Sequence, residues 1–161
     1  MAGLTPHSSD TPGVVAGIDY GTVRIGIAVS DPRRVIAFPL TIYTRKNDIQ
    51  DAAFFRKLTT DERVTQFIVG LPLHLSGDLS DKAREALAFG KWLGELTGLP
   101  IDYYDERFTS VEAEDYLIEA NVSRKKRKQK LDQVAAQILL TAWIESGCRG
   151  TNMHLPLEDE L

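Results

Sequence analysis

The feature that most constrains this chain is an apolar run, residues 14–18, that ends in the carboxylate of Asp19. Such a run predicts a core strand, and an acid at its end is costly to bury unless something pairs with it. Gly21, two residues further on, leaves room for a metal ion, a phosphate or another backbone. The stretch therefore predicts that Asp19 is presented to a metal ion or to phosphate. Taken alone, it also fits an Asp19 that simply opens a hairpin turn.

The length of the chain bounds its organisation. At 161 residues it can form one domain with a full core but not two large ones. No apolar run approaches the roughly 18–20 residues of a membrane span. We expect residues 1–13 to be a flexible tail rather than a secretion signal, residues 14–146 to be the domain, and residues 147–161 to be a C-terminal tail. The single cysteine, Cys148, fits a reducing compartment, and we expect a cytoplasmic protein.

The order of the predicted elements indicates an α/β fold. Strand-like runs at 14–19, 23–30 and 35–43 predict an antiparallel meander, and Pro39 favours an edge position or a bulge for the third strand. Helical patterns follow at 47–58, 80–96, 109–120 and 131–146, with strands at 64–70 and 100–104. Because alternating strands and helices imply parallel crossovers, we predict a mixed five-stranded sheet with helices packed on it.

Two further carboxylates have positions that suggest function. Glu106 follows the last predicted strand as Asp19 follows the first, and ligand sites in open α/β sheets form beyond the carboxyl ends of strands. Asp132 lies in the last predicted helix, well away from the polar stripe that contains Gln133 and Gln137. Each has a simpler explanation. Glu106 can be a solvated residue favoured by the dipole of the next helix, and Asp132 can cap its own helix.

Three convergent carboxylates would repel one another unless a cation binds or a proton is taken up. Mg²⁺ and Mn²⁺ prefer such oxygen ligands. Two of these ions about 3.5–4 Å apart can activate a water and stabilise the leaving oxygen when a phosphodiester is cleaved. Asp19, Glu106 and Asp132 are therefore the candidate metal-binding and catalytic residues.

The net charge of −4 argues against a general nucleic-acid coat protein, but the basic residues are unevenly distributed. Six of the 19 lie just before Asp132: Arg124, Lys125, Lys126, Arg127, Lys128 and Lys130. We place this segment in a loop, where it would neutralise a phosphate backbone; the alternative is a solvated surface. Arg24, Arg45 and Arg107 could add phosphate contacts or serve as structural ion-pair partners.

Four motifs resemble the YqgF family, bacterial Holliday-junction-resolvase-like proteins that are proposed pre-16S rRNA nucleases. They are GIDYGT with RIGIAVSD at 17–31, VGLP at 69–72, DERFTS at 105–110 and DQVAAQIL at 132–139. The resemblance implies an RNase H-like fold and a metal-dependent nuclease, with acidic residues at Asp19, Glu106 and Asp132. Two departures stand out. The loop after Pro72 differs from the usual family pattern, and the common Lys-Gly before Asp132 is missing.

The expected activity is hydrolysis of precursor ribosomal RNA by a nuclease that uses Mg²⁺ or Mn²⁺, with two ions held by the acidic trio. The same site could instead cut branched DNA as a Holliday-junction resolvase. A non-catalytic RNA-binding factor of ribosome assembly is a second alternative. The Gly-Ile-Asp-x-Gly-Thr motif also opens actin-like kinases and ATPases, but those enzymes close two such domains over the nucleotide and this chain has one.

Overall fold

The computed structural model describes residues 11–72, 79–106 and 123–150, with the backbone alone for 128–133. Its elements are β1 (Val14–Asp19), β2 (Arg24–Ser30), β3 (Ala37–Thr44), α1 (Asp48–Asp61), β4 (Val64–Leu71), α2 (Asp81–Thr97), β5 (Ile101–Asp105) and α3 (Arg124–Glu145). The sheet order is β3-β2-β1-β4-β5, antiparallel among the first three strands and parallel from β1 to β5. The predicted mixed five-stranded α/β fold is confirmed.

Strand β3 forms one edge of the sheet, as its proline predicted. Ile27 of β2 pairs with Thr41, and the next residue, Ala28, pairs with Pro39. Leu40 is therefore an extra residue on β3, which makes a bulge. Because Pro39 has no backbone N–H to donate, an edge strand with an adjacent bulge is a position that tolerates it.

Side-chain caps begin α1 and α2 where the sequence predicted. The Asn47 side chain accepts a hydrogen bond from the backbone N–H of Gln50 at 2.9 Å. The Ser80 hydroxyl accepts one from Ala83 at 3.1 Å. Such caps satisfy backbone donors that have no partner inside the helix.

The start of the last helix was predicted wrongly. We expected a basic loop and a helix from residue 131, whereas α3 begins at Arg124, with Ser123 as its cap. Lysine and arginine are good helix formers, so a run of them continues a helix beyond the part that packs on the core. The basic residues at 124–130 were therefore predicted as a loop, although they form the first turns of α3. The helix predicted at 109–120 lies outside the described residues.

The sheet is covered on both faces, and α3 crosses one of them closely. Helices α1 and α2 bury one face, with Phe55 and Leu93 in that core. Helix α3 covers the other face with Leu140 and Trp143. A Cβ on Gly17 of β1 would lie only 3.0 Å from the Leu140 Cβ, so the missing side chain lets α3 approach the sheet.

One residue in each predicted tail, Gly13 and Cys148, makes contacts with the domain. The Arg34 guanidinium donates to the carbonyl oxygen of Gly13 at 2.9 Å, and Cys148 packs against the core that contains Trp143. Within the described part of the chain, no helix is long and apolar enough to cross a membrane.

Candidate active site at the carboxyl ends of the strands

Asp19 is the last residue of β1 and lies on the sheet face that α3 covers. Side chains alternate along a strand, so position 19 shares its face with Val15 and Gly17, which contact α3. The cross-strand partner of Asp19 on β2 is Gly26, which has no side chain to cover the carboxylate. The carboxylate is therefore delivered to the end of the sheet on the α3 side.

Glu106 is brought to the same place by β5 and by a glycine in β4. Its backbone N–H donates to the carbonyl oxygen of Leu71 at 3.0 Å, which continues the pairing of β5 with β4 beyond the strand. Its carboxylate lies directly over Gly70, where a Cβ would overlap it. In the structure the space over this glycine is filled by the protein's own carboxylate.

The electrostatics of Glu106 reflect its burial and its contact with Asp19. Burial raises the pKa of Glu106 well above its ordinary value, and the nearby charge of Asp19 raises it further. A hydrogen bond between the two carboxyl groups and the charge of Asp105 act in the same direction. A group in this position binds a proton readily, and a divalent cation with oxygen ligands satisfies the same charge. The pair therefore fits Mg²⁺ or Mn²⁺.

The third predicted acid, Asp132, is in α3, and its side chain lies outside the described residues. Later in the same helix, Ala136, Leu140 and Trp143 are buried against the sheet. Trp143 donates to the Asp102 carboxylate near the start of β5 at 3.2 Å, whereas the helix at Ala136 lies over Gly17. Because Gly17, Ile68 and Asp102 lie in one row across β1, β4 and β5, the helix crosses the strands, from β5 toward β1, as it is followed back to its start.

Position 132 is one helical turn, about 5.4 Å, beyond Ala136 in that direction. Among the described side chains, no three His, Cys, Asp or Glu residues form a metal-binding group. Participation of Asp132 stays a prediction.

The basic residues occupy the beginning of the helix that carries Asp132. Arg124, Lys125 and Lys126 are exposed and Arg127 is half-buried. For Lys128 and Lys130 only the helical backbone is described, and Arg107 lies outside the described residues. Positive charge at a helix N-terminus opposes the helix dipole. Helix stability therefore does not explain this cluster, whereas binding of an anion would.

A cleft of about 400 Å³, which we call the Asp19 cleft, opens beside the turn between β1 and β2. Residues 20–23 and Arg24 line it together with Asp19 and Ile42. Lys82 and Glu85 of α2 also line it, and neither was predicted as a site residue. Both look like ordinary solvated helix residues in the sequence. Only the packing of α2 beside the turn brings them to the site.

Arg45 has the structural role that was left open for it. Its guanidinium donates to the Tyr20 hydroxyl at 2.8 Å and pairs with Asp51 at 3.5 Å. It also stacks on the rings of Tyr20 and Phe89, at 5.3 and 5.8 Å from their centres. Arg45 therefore anchors the residue that follows Asp19 to the core.

A family model described as "RuvX: Holliday junction resolvase" matches residues 13–146. A "Putative pre-16S rRNA nuclease" of Rhodopirellula baltica is 45% identical over 137 residues, 85% of this chain and 79% of the relative. Another protein with that name, from Koribacter versatilis, is 41% identical over 145 residues, 90% of this chain and 94% of the relative. The chain belongs to the RuvX family. This is the YqgF family that the motifs indicated.

The fold of this RuvX family member is also found in a solved resolvase structure. "T. thermophilus RuvC in complex with Holliday junction substrate" superposes with a TM-score of 0.52 at 19% identity, covering 84% of this chain and 96% of the other. The RNase H-like architecture predicted from the resemblance is confirmed. At this level of identity the likeness concerns the fold alone.

Proposed function

We propose that this protein is a metal-dependent nuclease that hydrolyses phosphodiester bonds at the 5′ end of precursor 16S rRNA. Asp19, Glu106 and Asp132 hold Mg²⁺ or Mn²⁺, most simply as a pair of ions. The proposal places the protein in the cytoplasm, where Cys148 would stay reduced. The names of the relatives support this substrate.

The observation that carries the proposal is the contact between the Glu106 and Asp19 carboxyl groups above Gly70. Two acids in contact destabilise the fold when both are charged, so a structural role does not account for them. Three elements contribute to the contact: β1 supplies Asp19, β5 leads to Glu106, and β4 supplies the glycine. A cation-binding role explains why all three features meet.

The protein's own residues have separable tasks in this reaction. When bound, the metal ions supply a water activated for attack and neutralise charge on the leaving oxygen. Asp19 and Glu106 would hold the ions through their carboxylate oxygens. Arg24 and Arg107 position the phosphate backbone, together with the residues of the α3 segment: Arg124, Lys125, Lys126, Arg127, Lys128 and Lys130.

A second candidate substrate is branched DNA. The matching family model is described as a Holliday junction resolvase, and this supports a four-way junction as an alternative for the same site. Symmetric cutting of such a junction requires two copies of the site, so this function also predicts a homodimer. Both candidates use the same acidic residues.

The test is cleavage of a labelled RNA that carries a 5′-extended 16S leader, in Mn²⁺ or in EDTA. We expect cleavage by the wild type in Mn²⁺ alone, and its loss in Asp19→Asn. The matched control is Asp61→Asn, which changes an exposed aspartate of α1 and should cut at the wild-type rate. A labelled four-way DNA junction in parallel reactions distinguishes the two substrates.

Two results would contradict the proposal. Binding of RNA without cleavage by either protein would favour the non-catalytic assembly factor. Equal cleavage by wild type and Asp19→Asn would place the active site elsewhere.

A further inference from the structure

The Asp19 cleft has a second kind of surface beside its charged groups. Val23, in the turn between β1 and β2, is 65% exposed, and Ile42 of β3 is 37% exposed, and both line the cleft. On the sheet, Asp19 pairs with Gly26, which in turn pairs with Ile42, so the three residues form one row across β1, β2 and β3. Neighbouring strands lie about 4.8 Å apart. The backbone of Ile42 is therefore two strands, about 10 Å, from the backbone of Asp19.

Charged side chains of both signs complete the lining. Arg24 at the start of β2 and Lys82 in the first turn of α2 are the basic residues, and Asp19 and Glu85 are the acidic ones. A ligand that suits this lining has an anionic part and an apolar, flat part. A nucleotide combines a phosphate with a base in this way.

The volume of the Asp19 cleft suits a single nucleotide. Its volume of about 400 Å³ lies at the lower end of the range of about 300–1,000 Å³ for pockets that enclose one small ligand. A base that stays paired and stacked in a duplex is covered on both faces by its neighbours and cannot lie against the side chains of the cleft. An unpaired base can leave its stack and enter.

We propose that the Asp19 cleft binds one unpaired nucleotide next to the scissile phosphate, with its base against Val23 and Ile42 and its phosphate near Arg24 and Lys82. This inference rests on the proposed nuclease function and adds its substrate class: a strand that is unpaired at the cut. Apolar contact of one base with two aliphatic side chains is worth on the order of 1–2 kcal/mol, at about 25 cal/mol per Å² of apolar surface buried. Loss of the contact should therefore lower kcat/KM by about tenfold or more.

The experiment combines changes in the protein with removal of one base. The substrates are a labelled RNA with a short unpaired segment, the same sequence fully paired, and the unpaired RNA with an abasic ribose on either side of the cut. The proteins are the wild type, Ile42→Ser, Val23→Ser and the control Ile49→Ser, which changes an isoleucine 84% exposed on α1 and outside the cleft. Both cleavage and binding, by fluorescence anisotropy, are measured.

We expect the wild type and Ile49→Ser to prefer the unpaired RNA and to lose about tenfold in kcat/KM when one particular base is removed. On the intact RNA, Ile42→Ser and Val23→Ser should lower kcat/KM by a similar factor. On the abasic RNA these variants should lower kcat/KM little further, because the contact between the base and the cleft is already missing there. Equal cleavage of paired and unpaired RNA, or additive losses, would overturn the inference while leaving the nuclease intact.

The binding measurements distinguish a failure of the nuclease proposal from a failure of the cleft inference. If no RNA is cleaved but binding still depends on that base and on Ile42, the nuclease proposal fails and the cleft inference stands. If binding depends on neither, the cleft inference fails as well.

Discussion

Two carboxyl groups on opposite faces of the sheet, Asp51 buried and Glu106 half-buried, have opposite surroundings. Asp51 of α1 accepts hydrogen bonds from the Tyr43 hydroxyl at 2.7 Å and the Lys46 backbone N–H at 2.9 Å, and it pairs with Arg45. Burial alone would raise its pKa, but these hydrogen bonds and the charge of Arg45 outweigh burial, so the pKa of Asp51 is lowered. Glu106 has carboxylates as its charged neighbours, and its pKa is raised.

The difference shows how a structural acid and a functional acid can be told apart. Asp51 is surrounded by donors that the fold itself provides, so its charge stabilises the native state. Glu106 lies against Asp19, so its charge destabilises the native state until a proton or a cation arrives. The fold thus satisfies one acid completely and leaves the other pair to be completed by a ligand. Perturbed acids of the second kind cluster at functional sites.

The largest effect should come from removing the satisfied acid. Asp51→Ala leaves the Tyr43 hydroxyl, the Lys46 N–H and the Arg45 guanidinium without their acceptor in a mostly buried setting. Loss of one member of such a network costs about 3 kcal/mol of unfolding free energy. Chemical denaturation measures it, with the first-turn residue Asp48→Ala as the control, which should lose well under 1 kcal/mol.

The pH dependence of Asp51 follows from its lowered pKa. The stabilisation by its charge is fully present above the unfolded-state value near 3.8 and is lost as the pH falls through the lower folded-state value. The stability difference between wild type and Asp51→Asn should therefore shrink only in strong acid. A difference that is constant down to pH 2 would contradict this account.

The next effect concerns the glycine under the other acid. Gly70→Ala adds a Cβ that overlaps the Glu106 carboxylate and must displace it. A displacement of about 1 Å can lower catalytic rate about 100-fold. Cleavage assays should show that loss in the wild-type background and little further loss when Gly70→Ala is added to Glu106→Gln. Full activity of Gly70→Ala would mean that the position of Glu106 is not critical.

This glycine also illustrates what the sequence could predict. Asp19 and Glu106 could be proposed as site residues because the ends of strands follow from local apolar patterns, and parallel strands bring their carboxyl ends to one edge of the sheet. The β-strands and the caps at Asn47 and Ser80 depend on the same short-range signals. Such features could be predicted because neighbours in sequence determine them.

Features that depend on contacts between distant segments could not be predicted in this way. The placement of the Glu106 carboxylate over Gly70 requires the register between β4 and β5. The contribution of Lys82 to the Asp19 cleft requires the packing of α2 beside the turn after β1. The early start of α3 at Arg124 was missed for another reason, because a run of like charges resembles a loop until a cap and a long helix are seen.

A smaller loss of stability and of rate should follow from breaking the Arg45–Tyr20 hydrogen bond, which connects the surroundings of Asp51 to the residue after Asp19. Tyr20→Phe removes the hydroxyl that accepts from Arg45 while keeping the ring against Phe89. One such hydrogen bond contributes about 1 kcal/mol to stability. Because Tyr20 follows Asp19 directly, we expect kcat to fall several-fold with little change in KM, which is the signature of a positioning residue. A change in KM alone would indicate that Tyr20 instead contributes to substrate binding.

The smallest effect is a gain in unfolding free energy, whereas Asp51→Ala causes a loss. In EDTA, Glu106→Gln should raise the unfolding free energy at pH 7–8 by on the order of 1 kcal/mol, since partial exposure screens the repulsion from Asp19. Because the folded-state pKa is raised, the charge of Glu106 costs stability only above its unfolded-state value of about 4.5, and the cost grows as the pH rises toward the folded-state pKa. The stability advantage of the variant should therefore vanish below pH 4.

In Mn²⁺ the wild type should be more stable than Glu106→Gln, because the wild type alone keeps both carboxylates for the ion. A variant that is less stable than the wild type in EDTA at neutral pH would mean that Glu106 is satisfied by the fold, as Asp51 is.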